Sequence, residues 1–269
     1  DVTTVTSIGL TRTPALSAFT GWSSNLLGMA TGFGVLVLVW TVIAWRLGNA
    51  VLLPAPLAVL EGFSLLLRDG SLIADILASL KRVFVGFLIA SVIAVPLAML
   101  LAYSRPLRRA VLPVINLIRP IPPIAWIPIA ILWFGIGDKP SYFITAIAAF
   151  FPIFLNSFFG GQSVEDQHLN AAKCLGAGKR ALVLRILFPS ALPMIWTGMK
   201  IGLGQSWMAV VTAELIAAQS GLGYMIQVSR LNLETSHVLV GMVTIGVLGS
   251  LMTHMLGAVE GFILPWKQK

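Results

Sequence analysis

Apolar residues gather along this chain in long blocks separated by short polar stretches. Six blocks have about twenty mainly apolar residues, the length that crosses a bilayer core. They are predicted near 26–46, 82–103, 111–136, 141–160, 191–216 and 237–262. Between the first two lies a mixed stretch, 47–79, with Pro54, Pro56, Glu61, Arg68, Asp69 and Asp75. Its middle, LAVLEGFSLLLRDG, is predicted to be an amphipathic helix at an interface. SRPLRRA, 104–110, is predicted as a short basic turn, and 161–190 as a longer loop. The expected organisation is a polar N-terminal segment, 1–25, followed by an all-α, polytopic transmembrane domain, 26–269, of about six helices. The Thr/Ser-rich start lacks the basic head and apolar centre of a cleavable signal peptide.

Composition agrees with lipid as the solvent. The 269 residues are 57% hydrophobic and 10% charged, against about a quarter charged in a typical soluble domain. The net charge of +8 does not point to nucleic acid, because the basic residues sit at the ends of apolar blocks. With an inside N-terminus, one face holds Arg12, Arg105, Arg108, Arg109, Lys173, Lys179, Arg180, Arg185, Lys267 and Lys269. The other holds Arg46, Arg68, Lys81, Arg82, Lys139 and Arg230, offset by Glu61, Asp69, Asp75, Asp138 and Glu234. Positive residues favour the inside, so both termini and loop 161–190 are expected in the cytoplasm. Cys174 is the only cysteine, and His168, His237 and His254 show no metal-ligand spacing, so no metal site is expected.

The loop carries the most specific signal. NAAKCLGAGKRALVLRILFPSALP, 170–193, is basic and helix-patterned, with Gly176 and Gly178 breaking it near its middle. Helices are expected over 167–175 and 179–187, with Pro189 and Pro193 ending the second and turning the chain into the fifth span. GAGK at 176–179 is not a phosphate loop, since the G-x-x-x-x-G-K-[ST] spacing is absent. The spacing A-A-x-x-x-G, nine residues, I-x-x-P resembles the EAA loop of the permease subunits of binding-protein-dependent ABC importers. Ala171, Ala172, Gly176, Ile186 and Pro189 stand in register; Asn170 replaces the acidic residue and Phe188 a leucine. The resemblance implies a type I (MetI-like) permease core. It also implies that Asn170, Ala171, Ala172, Lys173, Leu175, Gly176, Ala177, Lys179 and Arg180 dock an ATPase subunit. A plain basic loop resting on lipid phosphates is the alternative.

The third block is unusual for a different reason. IRPIPPIAWIPIAILWFGIG places four prolines, Pro120, Pro122, Pro123 and Pro128, within nine residues, which no regular helix accommodates. Backbone freed in a bilayer must face protein or a water-lined cavity, which is where transporters place substrate. The stretch resembles the R-x-x-P-P-x-A-W-x-P segment of the nitrate, sulfonate, taurine and bicarbonate branch of those permeases, on Arg119, Pro122, Pro123, Ala125, Trp126 and Pro128. GLGQSWMAVVTAELIAAQSGLG, 202–223, resembles the same branch on Gly204, Trp207, Val211, Ala213, Glu214, Leu215, Gly221 and Gly223. Candidates for a translocation path are therefore Arg119, Pro122, Trp126, Gln205, Trp207 and Glu214. Arg119 either attracts an anion or snorkels to the surface. Glu214, read as the one acid well inside a span, either lines the path, with Arg119 as its chemically nearest partner, or is hydrated at the outer interface. Lys200 is expected to snorkel. The G-x-x-x-G pairs Gly198/Gly202 and Gly257/Gly261 serve either internal packing or a dimer seam.

The resemblance implies an inner-membrane subunit of an ATP-driven importer, with no cofactor of its own. ATP and magnesium bind partner ATPases, an external binding protein delivers substrate, and a second permease copy completes the channel. The cargo it implies is a small oxyanion, sulfonate or taurine first, nitrate or bicarbonate as the alternative. A channel or ion-coupled transporter is a remoter possibility. An intramembrane enzyme is not supported, for want of paired catalytic groups at depth.

Overall fold

A computed structural model of the chain describes residues 15–164 and 166–263. Arg12, Lys267 and Lys269 of the charge count lie outside the described residues. The elements are α1 (Ala15–Leu47), α2 (Pro56–Arg68), α3 (Ser71–Tyr103), α4 (Arg105–Ile118), a 3-10 turn (Pro123–Trp126), α5 (Ile127–Phe134), α6 (Asp138–Gln162), α7 (Asp166–Cys174), α8 (Lys179–Leu182), a π-helical turn (Val183–Leu187), α9 (Phe188–Ala217), α10 (Leu222–Leu231) and α11 (Thr235–Ile263). No strand occurs among the described residues.

Among the described residues four helices are long and apolar enough to cross a membrane: Ser71–Tyr103, Asp138–Gln162, Lys179–Ala217 and Thr235–Gly261. Arg105–Ile118 and Pro123–Phe134 are together apolar enough for a fifth, and they meet at 90°, the geometry of a broken span or of a re-entrant loop. The remaining expected span, 26–46, lies on α1, whose described apolar stretch is Thr31–Leu47.

The chain divides into two compact units, Asp1–Ala58 and Val59–Lys269. In the first, the indole N–H of Trp40 on α1 donates to the Pro54 carbonyl at 3.1 Å.

In the second unit, α3, α6 and α9 form the core. Ala90, Ala94 and Ala98 make a small-residue stripe at four-residue spacing on α3. They pack with Ile153, Phe154 and Phe158 of α6 and Ala191 and Ile195 of α9. Lipid is as apolar as these side chains, so helix association here relies on close contact, not on escape from water. Glycines set the approach distance. A Cβ on Gly198 would stand 2.8 Å from Asn156 Cβ, and one on Gly202 2.8 Å from Ile153 Cγ1. The Gly198/Gly202 pair therefore serves internal packing of α9 on α6, whereas Gly257 on α11 faces open space. Gly202→Val is expected to cost about 1–3 kcal/mol by overpacking, read as a lower melting temperature of the purified protein. An unchanged melt would show that α9 and α6 have slack at this crossing. The outward residues of α3, Phe84, Leu88 and Val92, are exposed and apolar, as a lipid-facing stripe requires.

Three sequence expectations change. The second span begins at Ser71, eleven residues before 82, because Asp75, Lys81 and Arg82 lower the hydropathy of turns that are nonetheless helical. SRPLRRA is not a free turn: α4 begins at Arg105, with Pro106 in its first turn, where a missing N–H costs nothing. Pro189 and Pro193 do not end a helix, since Lys179–Ala217 is continuous. A π turn just before Pro189 absorbs the misfit: Phe188 N–H reaches the Val183 carbonyl, five residues back.

Candidate functional site

The loop after α6 folds as two short helices about a glycine bend. Gly176 has φ +82°, a value open to glycine and strained for other residues. Gly176 N–H donates to the Lys173 carbonyl at 3.0 Å, and Ala177 N–H to the Ala172 carbonyl at 3.0 Å. These two bonds form a Schellman motif, which caps α7 and reverses the chain. The loop is anchored from below: Leu182 and Leu187 are buried, and Leu169 and Val183 pack against the α3–α6–α9 core. Asn170, Ala171, Lys173, Leu175, Gly176, Lys179 and Arg180 are exposed, and Ala172 and Ala177 half-buried. Leu175, 89% exposed, tips the bend. An anchored underside and an open, small-residue and basic upper side make a shape that a partner can grip.

The broken third span opens a cavity of about 300 Å³ lined by Arg119, Pro122, Gln205 and apolar groups including Phe151 and Ile201. Among the described residues no acidic one is in its lining. Gln205 is shared with a neighbouring cavity of about 220 Å³ that includes Met208 and Thr212. Trp126 lies elsewhere, in a wholly apolar cavity with Trp133, Phe143 and Phe150. Its indole N–H has no acceptor among the described residues. Trp207 is buried and donates to Met252 Sδ on α11 at 3.2 Å.

Glu214 lines none of these three cavities. Its side chain is fully buried, and its partner is Arg82, with Nη1 to Oε1 at 2.7 Å; the pairing expected with Arg119 does not occur. Arg82, counted among the cations of the outer face, is 2% exposed. All five of its N–H groups are engaged. Nε and Nη2 donate to Asp138 Oδ1 at 2.9 and 2.6 Å. Nη1 donates to Glu214 and to the Ser220 carbonyl at 2.6 Å, and Nη2 also to Ser220 Oγ at 2.7 Å. Glu214 further accepts from Ser79 Oγ at 2.8 Å and from Gly223 N–H at 2.9 Å. Ser79 Oγ accepts from Leu222 N–H at 2.9 Å, and Asp75 accepts from Gly221 N–H at 2.7 Å. Gly221 has φ +104°, and a Cβ there would stand 2.6 Å from Arg82 Nη1. This clasp ties α3, the start of α6, the end of α9 and the start of α10. It lies at the opposite end of α6 from the α7 loop. Arg82 uses all its donors and Glu214 accepts from three groups, the kind of satisfaction under which a buried pair is tolerated.

Lys200, expected to snorkel, instead pairs with Glu260 of α11 at 2.5 Å. Glu260 is thus a second acid within a span, one that the sequence reading passed over. Asp75, Arg82 and Asp138 were likewise missed. The available signal was three acids, each within one or two turns of a predicted span end, with an arginine at a similar position.

A family model described as the binding-protein-dependent transport system inner membrane component matches residues 86–266. A "probable ABC transporter permease protein" of Brucella abortus (strain 2308) is 39% identical over 250 residues, 93% of this chain and 98% of that one. The taurine transport system permease protein TauC of Escherichia coli (strain K12) is 34% identical, covering 89% of each chain. The nitrate import permease protein NrtB of Synechocystis sp. is 32% identical, covering 92% of this chain and 93% of that one. In fold, the chain is similar to one from the inward-facing MetNI methionine ABC transporter, with a TM-score of 0.55 and 21% identity over 70% of this chain and 97% of that one.

Proposed function

Because the chain belongs to the family of binding-protein-dependent transport system inner membrane components, we propose that it passes a small oxyanion, a sulfonate such as taurine before nitrate or bicarbonate. As an ABC importer permease it is an inner-membrane transport component and not an enzyme, and it works with ATPase subunits and a substrate-binding protein. The family assignment displaces the channel and ion-coupled alternatives. ATP and magnesium belong to the ATPases in this proposal, and a second copy of the chain, or a similar permease, completes the path.

The observation that carries the cargo class is the cavity at the broken span. Among the described residues it offers one cation, Arg119, and one amide, Gln205, in an otherwise apolar lining without a carboxylate. Such a site holds an anion by charge and orients its oxygens by hydrogen bonds. The names of the taurine and nitrate relatives are compatible with that class. The test is uptake of labelled taurine, an alkanesulfonate, nitrate and bicarbonate by cells expressing the complete importer. Uptake of a sulfonate is expected, reduced about tenfold or more by Arg119→Gln, the scale of one charged hydrogen bond. Uptake of none of the four would reject the oxyanion assignment.

The proposed orientation puts α7 and α8 in the cytoplasm and the start of α6 outside. In a Cys174→Ser background, Arg180→Cys is expected to react with an impermeant maleimide only from the cytoplasmic side, and Lys139→Cys only from the outside. Both side chains are exposed. Reaction of both from one side would refute an odd number of crossings between them.

A further inference from the structure

The turn between α3 and α4, the end of α6 and helix α7 enclose a polar cavity of about 530 Å³ that shares no residue with the cavity at the broken span. Among the described residues its polar lining is Arg105, Arg108, Lys173, Tyr103, Gln162 and Asn170, three cations and three neutral hydrogen-bonding groups, with no carboxylate. Arg105 and Arg108 stand three residues apart, so they are neighbours on one side of α4. Among the described residues neither arginine has a side-chain hydrogen bond or ion pair, and Lys173 has only a 3.4 Å contact to Asn170 Oδ1. Like charges gathered round one space repel unless an anion sits among them.

We propose that this cavity binds a phosphate-class oxyanion, either the headgroup of an anionic lipid or a soluble dianion such as sulfate or phosphate. Three observations support it. The guanidinium forks suit tetrahedral oxyanions, which accept paired N–H bonds. The volume lies within the range of small-ligand sites. The site is level with the ends of α3 and α6, and farther along α4 Val114 and Leu117 are exposed and apolar, so the arginines reach the depth where headgroups lie. An anion there would bridge α4 to α7, fastening the exposed loop to the body of the protein.

Cys174, the single cysteine, is exposed at the end of α7 and takes a fluorophore that reports on that helix. The full chain is placed in nanodiscs of phosphatidylcholine alone, or of phosphatidylcholine with increasing phosphatidylglycerol. In the lipid-neutral discs sulfate is titrated at constant ionic strength against chloride. A saturable change in emission is expected with one of the two probes. It should weaken about tenfold in Arg105→Gln/Arg108→Gln and persist in Arg105→Lys/Arg108→Lys, which also shows that the surface turn folds. A response to phosphatidylglycerol alone makes the ligand a lipid, and a response to sulfate alone makes it a soluble anion. No saturable response to either, or an equal response in the glutamine variant, overturns the proposal. So does loss of ATPase co-purification in that variant with no anion response, which would assign the arginines to a protein partner. No transport is measured, so the result is independent of the cargo assignment.

Discussion

Arg82→Met is expected to destabilise the folded protein by about 3–5 kcal/mol, the cost of leaving a buried charge without its partner. Glu214 would keep Ser79 and Gly223 N–H as donors but lose its cation. Asp138, partly exposed, would keep Lys81 at 3.9 Å. The damage should therefore concentrate at Glu214. The double variant Arg82→Met/Glu214→Leu should recover much of the loss, because an apolar pair of similar volume often replaces a buried ion pair without cost. Thermal melting of the three variants in one detergent measures this. If Arg82→Met melts with the wild type, the clasp contributes nothing to stability. If the double variant is worse than the single one, Glu214 has a further partner that Arg82 does not supply. Arg82→Lys should also fail in part, since an ammonium has three donors and the site asks for five.

The other large effect is expected at the loop. Gly176→Pro should lower substrate-driven ATP hydrolysis and uptake by more than tenfold while the amount of protein in the membrane stays the same. Proline fixes φ near −65°, against the +82° found here, and it removes the N–H that bonds to Lys173. The Schellman cap would open and α7 would no longer turn back against α8. Insertion depends on the apolar spans, which the change does not touch. Wild-type uptake by this variant would remove the loop from any docking role. Gly176→Asn, which tolerates left-handed backbone better than other residues, should keep most activity.

The loop was legible because its punctuation is local. Glycine needs no distant partner to make a bend: α7 falls within a residue of its expected limits and the next helix starts at the expected Lys179, although it runs on past 187 to Ala217. The break in the third span was legible for the same reason, since prolines remove donors wherever they stand. The clasp was not. Arg82 and Glu214 are 132 residues apart in sequence, and composition alone marks each as a charge near the end of an apolar block. Hydropathy then trims charged turns away from the span, which set Arg82 at the edge of the predicted span, whereas α3 begins eleven residues earlier at Ser71. Buried polar groups in a membrane protein are placed by partners, and a single sequence does not name partners. The cavity of Arg119 and Gln205 is an intermediate case: both residues were chosen individually, and only the 90° bend brings them to one space.

The unbroken helix from Lys179 to Ala217 has a mechanical consequence. At 1.5 Å per residue its 39 residues make a rod of about 58 Å. One end bears the exposed basic turn and the other is pinned at Glu214 by Arg82. If the loop end is pushed sideways and the helix pivots on that pin, displacement falls off along the rod with distance from it. Gln205 lies nine residues from Glu214 and Arg180 lies thirty-four from it, so Gln205 moves by roughly a quarter of any sideways displacement at Arg180. A push of about 4 Å at the loop becomes about 1 Å at the cavity wall, with the force multiplied in the same ratio. In such a pivot the helix works as a reduction lever, with the Arg82–Glu214 clasp as its fulcrum.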